Sequence, residues 1–191
     1  YGIKPRLNDK ECRDVLENKL FFHLYYAQSG IPIPKNLMCN YKSTFWYDGA
    51  QIQTSNYEDF AILLDKLFEG EPPRDSLFVK KTCWSYGGDK VFKICRSQIT
   101  ERSQQLVDLY SEIIKSGFLF QETIIQHAVL SRLNPFCLNT IRFDTFIDKE
   151  GKVDIISGFL RMSINKNHVD NISSGGCQVG IDLKTGRLKE E

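Results

Sequence analysis

Apolar positions Val15, Leu16, Leu20, Phe21, Leu24 and Tyr25 recur at helical spacing, and Gly30 supplies a stop. Asn8 and Glu11 ahead of them have capping-box spacing, so one amphipathic helix is expected up to Gly30. Pro32 and Pro34 then force an extended path into a strand over 36–39. Two short strands over 43–47 and 50–54 flank Asp48-Gly49, a pair suited to a tight hairpin. Asn56, with Asp59 three residues on, opens a second helix whose Phe60, Ile62, Leu63, Leu64 and Leu67 form a broad apolar face closed at Gly70. After Pro72-Pro73, a strand pair is expected over 78–94. A third helix follows over 101–115, with Leu106, Leu109, Ile113 and Ile114 inward and Gly117 as its end.

The second half changes character. A dense apolar strand over 118–122 leads through a loop over 126–135 to two long strands, 139–147 and 152–162, turned by Asp148-Lys149-Glu150-Gly151. In the first long strand Ile141, Phe143, Thr145 and Ile147 share one face, while Thr140, Arg142, Asp144 and Phe146 share the other. Arg142 and Asp144 either pair with each other or face a ligand. A polar loop ending in Ser173-Ser174-Gly175-Gly176 precedes a last strand over 177–183. Strands and helices alternate without the regular rhythm of a doubly wound parallel sheet, so an α+β fold with antiparallel sheets is expected.

Composition narrows the function classes. The 191 residues are 41% hydrophobic and 26% charged, enough for a real core. Twenty-five basic residues against 24 acidic give a formal charge of +1, which offers no general electrostatic case for nucleic acid or an anionic membrane. Any anion site must be local. Six cysteines without CxxC spacing or a neighbouring histidine cluster read as reduced, mostly buried thiols of a cytoplasmic protein rather than a zinc site. No apolar run approaches the 18 or so residues of a membrane span. The chain opens on Tyr1 rather than methionine, which suggests that something lies upstream.

The stretch FVKKTCWSYGGDKVFKI, residues 78–94, has the makings of a phosphate clamp. Gly87 and Gly88 let backbone amides approach an anion, the hydroxyls of Thr82 and Ser85 offer donors, and Lys80 adds a point charge. The same residues also suit a hairpin whose Gly-Gly-Asp tip merely turns the chain. Arg161 and the Ser173–Gly176 run offer a planar fork and a second backbone nest.

Four stretches in order resemble the ATP-grasp superfamily, specifically its sugar-transfer-associated branch, with a more distant similarity to ribosomal-protein glutamate ligases. They are NKLFFHLYYAQSGIPIPKNL, the 78–94 stretch, FLFQETIIQHAVLSRLNPFCLNTIRF and GFLRMSINKNHVDNISSGG, and together they cover about 18–188. The resemblance implies two lobes of antiparallel sheet and flanking helix with a nucleotide cleft between them: a leading helix and linker over 1–35, a first lobe over 36–117 and a second over 118–191. It implies ATP contacts by Lys19, Lys80, Ser85, Gly87, Gly88, Gln121, Glu122, Ile124, His127 and Asn139. Lys81 stands where the family often has proline. Arg142, Arg161 and Asn171 are implied at the phosphates, the acyl phosphate and the closing loop.

The implied chemistry is that of an ATP-dependent carboxylate–amine ligase in polysaccharide or cell-surface sugar biosynthesis, acting on a small carboxylate or sugar-linked substrate. A nucleotide-binding module without catalysis and a small-molecule kinase are the alternatives. The family's Mg²⁺ ligands, an Asp and a Glu-x-Asn, belong downstream of the Gly-Gly pair, and no Glu-x-Asn follows it before Glu191. The resemblance therefore implies metal ligands beyond residue 191 and little turnover by this chain alone.

Overall fold

The computed structural model describes residues 13–85, 88–164 and 169–190. It divides into two compact units, Tyr1–Thr123 and Ile124–Glu191.

The first unit opens with two short helices, α1 (Arg13–Glu17) and α2 (Lys19–Tyr26), where one unbroken helix was expected. Asn18 causes the break. Its backbone is extended, and its side-chain oxygen accepts from the amides of Leu20 and Phe21, so it restarts the helix as an N-cap. The expected capping box at Asn8 and Glu11 lies outside the described residues. Leu16, Phe21, Phe22, Leu24 and Tyr25 remain exposed, because periodicity specifies an apolar face and not what covers it.

Six strands follow: β1 (Asn36–Tyr41), β2 (Thr44–Tyr47), β3 (Ala50–Gln53), β4 (Ser76–Lys81), β5 (Val91–Cys95) and β6 (Gly117–Glu122). They form one sheet in the order β3-β2-β1-β6-β4-β5 with antiparallel neighbours throughout. Asp48 and Gly49 both take positive φ, as a two-residue hairpin between β2 and β3 requires.

β6, expected to open the second lobe, lies within the first sheet. This strand pairs with β1 on one side and β4 on the other, and Phe118, Leu119, Phe120 and Gln121 are all buried, so it completes the first sheet. The two units part after Thr123 instead. Gly117 likewise opens β6 rather than ending a helix. A Cβ there would lie 2.9 Å from Thr82 Oγ1 and 3.3 Å from the Asn40 carbonyl oxygen, a close approach that only glycine permits.

Helices α3 (Tyr57–Phe68), α4 (Ser97–Thr100) and α5 (Gln104–Ile113) complete the unit. Asn56 caps α3 through the Asp59 amide, as its spacing suggests. The single helix expected over 101–115 begins later, at Gln104, because Arg102 takes a positive φ and Ser103 caps α5 through the Leu106 amide. Phe60 of α3 stacks on Tyr110 of α5 at 5.0 Å and meets Phe45 and Phe120 of the sheet. These rings and the leucines of α3 form the core on one face of the sheet. Asn40 locks the strand ends: its amide donates to the carbonyls of Ile113 and Ser116, and its oxygen accepts from Phe118 N–H.

The second unit holds α6 (Ala128–Ser131) and an antiparallel sheet in the order β7 (Thr140–Ile147), β8 (Val153–Ser163), β9 (Gly176–Gly180). The last strand is shorter than expected, with Ile181 continuing only as an isolated bridge to Leu188. A register shift after Asp144 inserts one extra residue in β8. The pairing puts Thr140, Arg142 and Asp144 on one face with Arg161, Phe159 and Ser157. The opposite face carries the exposed Ile141, Phe143, Ile147, Val153 and Ile155. A short 3-10 turn, Ile172–Ser174, leads into β9.

Among the described residues Cys39, Cys83, Cys95, Cys137 and Cys177 are free, and only Cys137 is fully buried; the others are half-buried, where mostly buried thiols were expected. No helix of the described residues is long and apolar enough to cross a membrane.

Candidate functional site

Two lysines far apart in sequence converge in the first unit. Alternation along β4 puts Leu77 and Val79 into the core and leaves Lys80 on the opposite face. Lys19, the first residue of α2, is brought to the same place by its backbone amide, which donates to the Thr82 carbonyl at 2.7 Å. Its Nζ then donates to the Ser85 carbonyl at 3.1 Å and to Ser85 Oγ at 3.0 Å. Asn18, by ending α1 and capping α2, sets the point at which Lys19 enters the loop.

Burial holds the Lys80 ammonium below the usual lysine pKa, and the neighbouring Lys19 charge lowers it further. Lys19 is lowered by burial too, partly offset by Cys83. Among the described residues neither lysine has a carboxylate in salt-bridge range. Two adjacent, partly desolvated cations without a counter-ion destabilise each other, and an anion placed between them relieves both costs. This arrangement is chemically suited to a multiply charged anion such as a polyphosphate.

The connecting loop contributes unevenly. Ser85 is buried and positions Lys19, with its own hydroxyl proton still available. Gly88 takes a φ of +87° that favours glycine, while Gly87 lies outside the described residues. Thr82, expected as an anion donor, instead gives its hydroxyl proton to the Gly117 carbonyl at 3.1 Å. Lys81 lies on the other face from Lys80, its amide bonded to the Lys90 carbonyl.

Gln121 shares the face of Lys80, because it pairs with Phe78, two residues before Lys80. Glu122 ties down the proline-rich linker, accepting from the Lys35 amide through Oε1 at 2.9 Å and donating its own amide to the Lys35 carbonyl. Its backbone N–H is thus engaged within the protein. Ile124 is exposed.

In the second unit the expected residues fall into two groups. His127 and Asn139 hold the loop before β7. His127 Nδ1 accepts from Val129 N–H to cap α6, and Asn139 gives both amide hydrogens to the carbonyls of Leu130 and Asn134. Gln126 Oε1 in turn accepts from the Asn139 backbone amide. Arg142 and Arg161 are two residues of the polar face of the β7–β8 ribbon, and each has an aspartate. Arg142 Nε lies 3.6 Å from Asp144 Oδ1 in an exposed pair, with Ser157 donating to the other Asp144 oxygen. Arg161 Nη2 lies 3.2 Å from Asp170 Oδ1, and here both side chains are largely buried. Asn171 accepts from the amides of Ser174 and Gly176 through its carbonyl, which shapes the turn before β9.

Sequence reasoning gave Thr140 no role beyond its place on the Arg142 face of β7 and did not pair it with Asp170. The Thr140 hydroxyl donates to Asp170 Oδ2, and Thr140 stands directly opposite Arg161 in the β7–β8 register. The acidic groups do not fit a Mg²⁺ site: Asp144 and Asp170 are committed to arginines and hydroxyls, and no cluster of three candidate ligands occurs among the described residues.

Antiparallel sheets and their accompanying helices define an α+β protein. The family model for sugar-transfer associated ATP-grasp proteins matches residues 2–191, and the chain belongs to that family. It is an ATP-binding ATP-grasp domain. No curated protein matches the chain.

Proposed function

We propose that this domain supplies ATP to a carboxylate–amine ligase reaction acting on a small carboxylate or sugar-linked substrate in polysaccharide or cell-surface sugar biosynthesis. The observation that carries the proposal is the Lys19–Lys80 pair, two partly buried ammonium groups with no carboxylate in salt-bridge range among the described residues. ATP phosphates are the anion that the family brings to such a pair.

In the proposed reaction a substrate carboxylate oxygen attacks the γ-phosphorus, the bond to the β-phosphate oxygen breaks, and ADP leaves. An amine then attacks the acyl phosphate, forming the amide and expelling inorganic phosphate. Lys19 and Lys80 hold phosphate oxygens and neutralise charge in the first step. Arg142 and Arg161 serve as the second unit's anion-binding groups, their forks suited to phosphate or carboxylate. Mg²⁺ supplies further charge neutralisation when bound, but the carboxylates described here do not assemble a site for it.

Incubation with ATP, Mg²⁺, a panel of sugar carboxylates and an amine, read by mass spectrometry, tests the reaction class. ADP with a new amide is the expected outcome for the catalytic assembly. A stably phosphorylated product that persists when amine is added contradicts the ligase reading and identifies a kinase.

A further inference from the structure

Arg161 is held from one side only. Nη2 meets Asp170 Oδ1 at 3.2 Å, and among the described residues nothing accepts from Nε or Nη1. Its side chain is 14% exposed, and neither Nε nor Nη1 is a fully buried orphan, so these donors remain open to an incoming acceptor.

Asp170 is itself fixed on two sides. Oδ2 accepts the Thr140 hydroxyl, across the ribbon from Arg161. Its backbone carbonyl is packed against Gly176, where a Cβ would lie 2.2 Å from that oxygen. Gly176 is anchored in turn by its amide, which donates to the Asn171 carbonyl at 2.8 Å, and by its register with Ser163 of β8. The turn from 170 to 176 is therefore pinned to the end of the strand that carries Arg161.

We propose that Asp170 is a positioning residue: held by Thr140 and the Gly176 turn, it grips one edge of the Arg161 guanidinium so that the other edge is presented to a nucleotide phosphate or acyl phosphate. This inference rests on the nucleotide reading above. A carboxylate that competed for the whole fork would take both edges of the guanidinium, whereas the observed single contact orients the group and leaves donors over. A free arginine side chain has many rotamers, and fixing it beforehand lowers the cost of binding.

The test is a double-mutant cycle on ATP affinity in the presence of Mg²⁺, using the full chain. Asp170→Asn, nearly isosteric, is expected to weaken ATP binding about 5- to 20-fold and Arg161→Ala by at least as much. The double variant should bind no more weakly than Arg161→Ala alone, because Asp170 acts only through Arg161. Thr140→Val, which leaves both charges in place, should give a smaller loss in the same direction. A merely structural aspartate predicts losses that multiply, and that result overturns the proposal, as does unchanged affinity in a folded Asp170→Asn protein. Failure of the underlying reading is distinguishable: wild-type protein then shows no ATP affinity for Lys80→Ala to remove, and the proposal falls with it.

Discussion

Lys80 concentrates the account at the scale of single residues. Removing its ammonium should cost ATP binding about 1.5–3 kcal/mol, the usual worth of a hydrogen bond to a charged group, or roughly 10- to 100-fold in Kd. Proton linkage gives a second expectation. Both lysines titrate below the ordinary lysine value of 10.5 in the folded protein, so between those lowered values and 10.5 the unfolded chain holds more protons than the native one. Raising pH through that window should increase the stability of the nucleotide-free protein, seen as a rising denaturation midpoint. ATP affinity should fall over the same window, because phosphates select the charged ammoniums. Fluorescence denaturation and nucleotide titrations at stepped alkaline pH check both signs, and Lys80→Ala should flatten each trend. Lys80 was singled out from the sequence as a point charge beside the glycine loop, whereas Lys19 entered only through family resemblance; periodicity alone gives Lys19 as a solvated helical residue. Asp170 and Thr140 were not legible as a pair, because their contact depends on the register of β7 with β8 and on the turn before β9.

Caps decide the elements. Asn18→Ala removes the acceptor for the Leu20 and Phe21 amides and should destabilise α2 by about 0.5–2 kcal/mol. Hydrogen exchange at those two amides should accelerate, and ATP affinity should drop with it, because α2 carries Lys19 to Ser85. Gly176→Ala should cost about 1–3 kcal/mol in denaturant unfolding, since its Cβ would meet backbone atoms of Asp170 that cannot swing aside. Helix and strand positions were largely readable from apolar spacing, as with α3 and its Asn56 cap or the Asp48-Gly49 hairpin. The breaks were not. Asn18 is a favoured N-cap residue, but apolar spacing that continues on both sides of it hid the break.

The whole molecule consists of two units, each built on an antiparallel sheet. The lack of a βαβ rhythm already argued against a doubly wound fold, but the placement of β6 required its two partners, β1 and β4, which lie far from it in sequence. The aromatic cluster around Phe60 stabilises the first unit, and Phe60→Ala should destabilise it by about 3–5 kcal/mol, measured by chemical denaturation. At this scale the central claim is that the first unit is built to receive ATP on two uncompensated lysines. Thermal unfolding of the full chain across an ATP series tests it most directly, because a ligand that binds only the native state raises the midpoint with concentration. The account predicts a rising midpoint for the wild type at up to millimolar ATP and a much smaller rise for folded Lys80→Ala. An unchanged wild-type midpoint, or an equal rise in the variant, would contradict it.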